Sequence, residues 1–204
     1  MIKNLSIITL KQPQISDFAK ARNQAMVKVK TDWILFIDTD ESLTPALKKE
    51  IKLVIQNQDY NYQFKRQDWF LGKKLNFGET SVVRLTRLIQ KGTGQWQGRV
   101  HEIFQSNLPL KTLKHPLIHQ RHLTISQFID RLNHYTTIRT QELYQQNHRF
   151  SLFQLLFYPP AKFILNYFFR LGFFDGLPGL TMAFMMSFHS LMIRIKLYEF
   201  QKTS

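Results

Sequence analysis

Two aspartates, Asp38 and Asp40, follow directly on an unbroken apolar run, Trp33-Ile-Leu-Phe-Ile37. Such a run is expected of a strand covered on both faces. Carboxylates at its end stand at the sheet edge where open α/β proteins bind ligands. Two hard oxygen donors there suit Mg²⁺ or Mn²⁺ held together with substrate phosphates. The cation would neutralise charge on a departing diphosphate. The competing reading is a solvated turn that caps the helix starting near Thr44. Arg84 and Arg87 offer a guanidinium fork for phosphate. Three apart on a strand, they face opposite ways, so at most one serves. Trp69 and Trp96 could stack on a sugar ring or pack in a core. His115, His119 and His122 lie on a strand-to-loop stretch that does not converge, so no zinc site is expected.

The elements that must position these residues alternate. Leu5–Thr9 reads as a short buried strand. Ser16 reads as the N-cap of a helix running to about Val29, with Ala19, Ala21, Ala25 and Met26 in it. The Trp33–Ile37 strand follows, then a helix capped by Thr44 with Pro45 at its first position. Strand and helix in alternation predict an α/β fold with a parallel or mixed sheet. Further strands are expected over Tyr60–Lys65, Ser81–Leu88, Ile103–Ser106 and Lys111–Ile118, among Gly-bearing loops. One amphipathic helix is expected from Ile125 to about Gln146, capped by Thr124 or Ser126. Beyond Phe150 the chain turns aromatic and apolar, and Pro159-Pro160 and Gly172–Gly179 divide it into two helices.

The chain has 204 residues, 44% of them hydrophobic, enough for one compact domain and an appendage. Its formal charge of +14 favours polyanionic partners: nucleic acid, anionic lipid or phosphorylated substrates. No basic stretch with interleaved aromatics and no helix-turn-helix signature appears, so nucleic acid is not expected as a partner. The absence of cysteine excludes disulfides, thiolate metal sites and thiol catalysis. The N-terminus does not read as a signal peptide. In the tail, the 17-residue apolar stretch Leu177–Ile193 is short for a membrane span, which needs about 20 residues. Helices lying in the membrane interface are expected, the alternative being a helical pair packed on protein.

Several segments in order carry a resemblance. Asp17-Phe-Ala-Lys-Ala-Arg-Asn23 precedes Asp32-Trp-Ile-Leu-Phe-Ile-Asp-Thr-Asp-Glu41. Downstream lie Arg84-Leu-Thr-Arg87, Trp96-Gln-Gly-Arg-Val-His-Glu102 and Gly172-Phe-Phe-Asp-Gly176. This succession resembles family 2 glycosyltransferases, in the subgroup similar to lipopolysaccharide-core glucosyltransferases. The resemblance implies a GT-A fold, a nucleotide-diphosphate-sugar donor, Mg²⁺ or Mn²⁺, and an inverting displacement. By position, Asp40 would be the main metal ligand, and Asp38 would join it or approach the donor's ribose or sugar. Arg22 and Asn23 would line the donor pocket, with Arg84 and Trp96 as further donor contacts. Glu102 would be the catalytic base, unless it only pairs with Arg99 at the surface. His101 would compete with it, orient it, or serve a structural role.

The resemblance also implies a domain plan: residues 1–149 as a partial GT-A catalytic domain lacking its first two β-α units, and residues 150–204 as amphipathic, membrane-interfacial helices. The missing units would carry nucleoside contacts, so weak donor binding, or none, by these residues alone is expected. A separate N-terminal fragment or a homodimer would be a partner. The acceptor would be a bacterial cell-surface glycan or a lipid-linked precursor, reached at the cytoplasmic face of the inner membrane by a peripheral protein. The alternative is a non-catalytic, membrane-associated accessory protein of the same fold.

Overall fold

The computed structural model describes residues 4–10, 17–98, 102–120 and 124–203. In chain order the elements are β1 (Leu5–Leu10), α1 (Phe18–Lys28), β2 (Trp33–Asp38), β3 (Glu41–Leu43), α2 (Pro45–Val54), β4 (Asn61–Phe70) and β5 (Lys73–Lys74). A 3-10 turn at Glu79–Val82 leads to β6 (Arg84–Gln90), β7 (Gly94–Gln97), β8 (Ile103–Ser106), β9 (Leu110–Thr112) and β10 (Leu117–Gln120). Three helices close the chain: α3 (Ile125–Gln145), α4 (Leu152–Ile164) and α5 (Leu177–Thr203).

The main sheet runs β1-β2-β6-β4-β10-β3, with β5 and β9 pairing β4. It is mixed, within the α/β fold class expected. β1 lies parallel to β2, and β9 to β4, whereas β6 is antiparallel to both β2 and β4, and β10 to β3. β7 and β8 form a separate antiparallel pair. Only the first strands are joined through helices, so only there does the crossover rule impose parallel order. Among the described residues β1 pairs with β2 alone, and its Ile7 is exposed.

β2 shows why an unbroken apolar run was needed. Trp33 and Leu35 point to one face, into a core with Leu47, Ile51, Tyr62, Phe64 and Leu117. Ile34 and Phe36 point to the other, against Ala19, Met26, Ile89, Trp96 and Phe104. Side chains alternate along a strand, so α2 covers the first face and α1 the second.

The two caps differ in origin. Thr44 Oγ1 accepts from Leu47 N at 3.1 Å, and Pro45 opens α2 as its sequence predicts. For α1 the cap is Asp17, whose Oδ1 accepts from Lys20 N at 2.9 Å. The expected cap, Ser16, lies outside the described residues. Several strands also differ from expectation. β4 continues to Phe70, Lys111–Ile118 is two strands, and the short β3, β5 and β7 carry too few residues to show a period.

The chain divides into two compact units, residues 1–68 with 82–120, and residues 69–81 with 121–204. This division differs from a boundary at Phe150. In the second unit the segment after β4 folds with the tail: Asp175 accepts from Asn76 N and Phe77 N, and Glu79 pairs with Lys162 at 2.8 Å. α5 packs on both α3 and α4. Its Lys196 Nζ donates to Asn133, Thr136 and Thr137 of α3. Pro159 and Pro160 fall inside α4 rather than ending it, and the Pro159 carbonyl accepts from Ser187 Oγ at 2.7 Å.

Candidate active site

The first unit gathers two guanidinium groups and three carboxylates around the end of β2. Asp38, the last residue of β2, takes Arg87 Nη2 on Oδ2 at 2.6 Å and Arg22 Nη2 on Oδ1 at 3.4 Å. Arg87 Nη2 also meets Glu41 Oε1 at 2.8 Å. Arg22 Nη2 meets Glu102 Oε1 at 3.1 Å, and Arg87 Nη1 lies 4.0 Å from the same oxygen. Glu41 Oε2 accepts from the Asp38 backbone N–H at 2.9 Å and so closes the Thr39-Asp40 turn. A solvated turn would leave these carboxylates in water. Instead the side chain of Glu41 is 1% exposed and that of Asp38 12%. The cap of α2 is Thr44, not an aspartate.

Burial makes this cluster consequential, because carboxylates and guanidinium groups removed from water must compensate one another. The two arginines do not share that compensation equally. Burial would lower the pKa of Arg87, but Glu41 and Asp38 outweigh it and raise it above the ordinary arginine value. Burial and the neighbouring Arg87 lower that of Arg22, against the pull of Glu102 and Asp38. Arg22 is also 1% exposed, and its Nε and Nη1 have no hydrogen-bond partner among the described residues. Its guanidinium lies 4.7 Å from the Trp96 ring centroid and 5.0 Å from that of Phe36. It therefore has two donors to spare for an anion, where Arg87 has Nε alone.

The expected site residues divide on this geometry. Arg22, Asp38 and Glu102 come together, although 64 positions separate Asp38 from Glu102. Arg84 and Arg87 do face opposite ways: Arg87 enters the cluster, while Arg84 is exposed and donates to the Val83 carbonyl. Asn23 uses both ends of its amide on the Trp96 backbone, giving Nδ2 to the carbonyl and taking the N–H on Oδ1, each at 2.9 Å. It therefore ties α1 to β7 rather than offering its amide to a ligand. Trp96 is 4% exposed, with Phe36, Phe104 and Arg22 against its ring. No ring face is left for a sugar. His101, and Arg99 as a partner for Glu102, lie outside the described residues.

Asp40 points into a different group. His119 Nε2 lies 3.6 Å from Asp40 Oδ2, while His119 Nδ1 is hydrogen-bonded to Asp68, which Arg66 in turn contacts at 3.0 Å. Burial alone would lower the imidazole's pKa, but Asp40 and Asp68 outweigh it and raise it above the ordinary histidine value. The sequence presents His119 as one of three scattered histidines. β10 buries it beside Leu117 and brings it to residues 51 and 79 positions earlier.

The fit of a divalent cation follows from these distances. Both oxygens of Asp38 are committed to guanidinium groups, which makes it a poor ligand. Asp40 Oδ2 and His119 Nε2 are spaced as two ligands of one ion can be, given metal–ligand bonds of about 2.1 Å, but the ion would have to displace the proton that Asp40 and Asp68 favour on the imidazole. Asp68 holds the other imidazole nitrogen, as outer partners of metal-bound histidines do. Among the described residues no group of three or more such side chains converges on one point. The described residues thus offer one carboxylate oxygen and one imidazole nitrogen, a set less suited to Mg²⁺ than to Mn²⁺, and substrate phosphate and water would complete the shell.

The family description of glycosyl transferase family 2 matches residues 1–115, more than half of the chain. One curated relative, the lipopolysaccharide core biosynthesis glycosyltransferase LpsC of Rhizobium meliloti, is 25% identical over 189 residues, covering 89% of this chain and 69% of the relative. Another, uncharacterized glycosyltransferase RT0209 of Rickettsia typhi, is 24% identical over 182 residues, covering 82% of this chain and 62% of the relative. The chain therefore spans about two thirds of the length of the curated relatives it matches.

Proposed function

Because this chain belongs to glycosyl transferase family 2, we propose that it moves a sugar from a nucleotide-diphosphate donor to a bacterial cell-surface glycan or a lipid-linked precursor, with inversion. The observation that carries this reading is the sharing of Arg22 between Asp38 and Glu102. It sets a carboxylate suited to act as base beside the strand end where the donor is expected. The similarity to a lipopolysaccharide core enzyme supports the acceptor class. A lipid-linked acceptor would set the reaction at the cytoplasmic face of the inner membrane.

Each residue then has a distinct task. The unpartnered N–H groups of Arg22 receive a donor phosphate oxygen. Arg87 fixes Asp38 and Glu41 and so holds the turn between them. Glu102 takes the proton of the acceptor hydroxyl as that oxygen bonds to the anomeric carbon. The bond from the anomeric carbon to the diphosphate breaks on the opposite face, through an oxocarbenium-like transition state. Asp40 and His119 would hold a divalent cation, which when bound supplies charge neutralisation for the departing diphosphate.

Calorimetry of the whole chain with a panel of nucleotide-sugars and Mn²⁺, wild type against Asp40→Ala, tests the donor half. Weak, Mn²⁺-dependent binding that disappears in the variant, with circular dichroism unchanged, is the expected result. Equal binding by both proteins would overturn the role given to Asp40.

A further inference from the structure

We propose that the turn between α4 and α5, with the outer stripes of both helices, seats in the interfacial zone of an anionic lipid bilayer. This surface lies outside the transfer site and is argued without it.

The turn is a π-helical turn at Leu165–Phe169 followed by a 3-10 turn at Gly172–Asp175. It presents Phe168, Phe169, Phe173, Phe174 and Leu177 to solvent, with Phe169 77% and Leu177 69% exposed. On α5 the exposed apolar residues Leu177, Phe184, Phe188 and Ile195 recur at intervals of seven and four, one stripe of the helix. On α4, Phe153, Phe157 and Ile164 make a second stripe. Among the described residues 26 large hydrophobics are exposed, and 17 of them lie between Leu152 and Tyr198, too many to be incidental.

Charge decides what covers them. Between Ser151 and Tyr198 the only acidic residue is Asp175. It is 1% exposed, its carboxylate occupied by Asn76 N and Phe77 N. The acidic charge is drawn inward, while Lys73 reaches the Asp175 carbonyl and the neighbouring Lys74 is exposed. Glu79, the acid nearest in the folded segment, is matched by Lys162. Exposed phenylalanines beside Lys73 and Lys74, with the one acidic residue between Ser151 and Tyr198 buried, fit acyl chains beneath anionic headgroups. No helix among the described residues is long and apolar enough to cross a membrane, so the fit is to the interface. A protein surface would instead call for a polar rim with hydrogen-bonding groups of both signs.

The test is co-sedimentation of the whole chain with phosphatidylcholine vesicles, with and without phosphatidylglycerol. Wild type should pellet with the anionic vesicles, and less so at high salt. Phe169→Ser/Phe174→Ser should weaken that partition by at least about tenfold. Lys74→Glu should weaken only the anionic component, and Leu53→Ser, an exposed position on α2, should change nothing. Circular dichroism checks that each variant keeps its fold. Failure of the wild type to pellet, or equal pelleting by the double variant, would overturn the proposal. So would a wild-type dimer on gel filtration that the same double substitution dissociates, since a second copy would then cover the face. None of these outcomes depends on sugar transfer.

Discussion

At the scale of single residues, the argument turns on which charges are compensated. Arg87 touches two carboxylates whose side chains are nearly out of water. Arg87→Met would strand Asp38 and Glu41, and breaking a buried pair on one side costs about 3–5 kcal/mol. Thermal or urea unfolding should show a loss of that order. The same measurement on Arg84→Met should show about 0.5 kcal/mol or less, because that side chain is exposed. Glu102→Gln asks a different question. It keeps the shape and removes the base, so kcat for transfer should fall by about 10²–10⁴ while donor affinity is kept. Reduced donor affinity with unchanged kcat would make Glu102 a binding group instead.

At the scale of elements, the hairpin of α4 and α5 depends on a close backbone approach. A Cβ on Gly179 would lie 2.0 Å from the Gly172 carbonyl oxygen and 2.9 Å from Asp175 Cβ. Backbone cannot yield as a flexible side chain can, so Gly179→Ala should cost about 1–3 kcal/mol or more, read by unfolding. The link between α2 and the loop before β10 is electrostatic. Glu50 accepts from the backbone N–H groups of Lys114 and His115 and from the His115 ring. Burial would raise its pKa, but these hydrogen bonds outweigh that and hold it below the ordinary value of 4.5. The unfolded chain then binds the proton more readily than the folded one. The contribution is present above the ordinary value and is lost as pH falls through the folded one. Glu50→Gln should therefore destabilise at neutral pH, and the gap from wild type should close well below 4.5.

At the scale of the whole molecule, a transfer site and an apolar, basic surface on one chain have a joint consequence. An acceptor sugar carried on a lipid in anionic vesicles should be used with higher kcat/KM than the same sugar free in water, since binding to the vesicle concentrates enzyme and acceptor together. Phe169→Ser/Phe174→Ser should remove that advantage and leave turnover of the soluble acceptor unchanged. Equal use of both acceptors by the wild type would separate lipid binding from catalysis.

By itself the sequence determined what local rules can determine. The unbroken run at Trp33–Ile37, the Thr44-Pro45 start of α2, the start of α3 at Thr124 or Ser126 and the opposite facing of Arg84 and Arg87 are consequences of side-chain period and backbone capping, and the structure selects Thr124 as the cap. The family pattern drew Arg22, Asp38 and Glu102 to attention as types in order. Tertiary structure decided the rest. That Asn23 is consumed by the Trp96 backbone, and that Trp96 is core, depends on β7 docking beside α1. That His119 faces Asp40, and that Asp38 is committed to two arginines, depends on strand order. Aspartates two positions apart look equivalent along a chain. They part because each carboxylate meets whatever charge the neighbouring strands deliver to its side of the sheet, and that delivery joins residues dozens of positions apart.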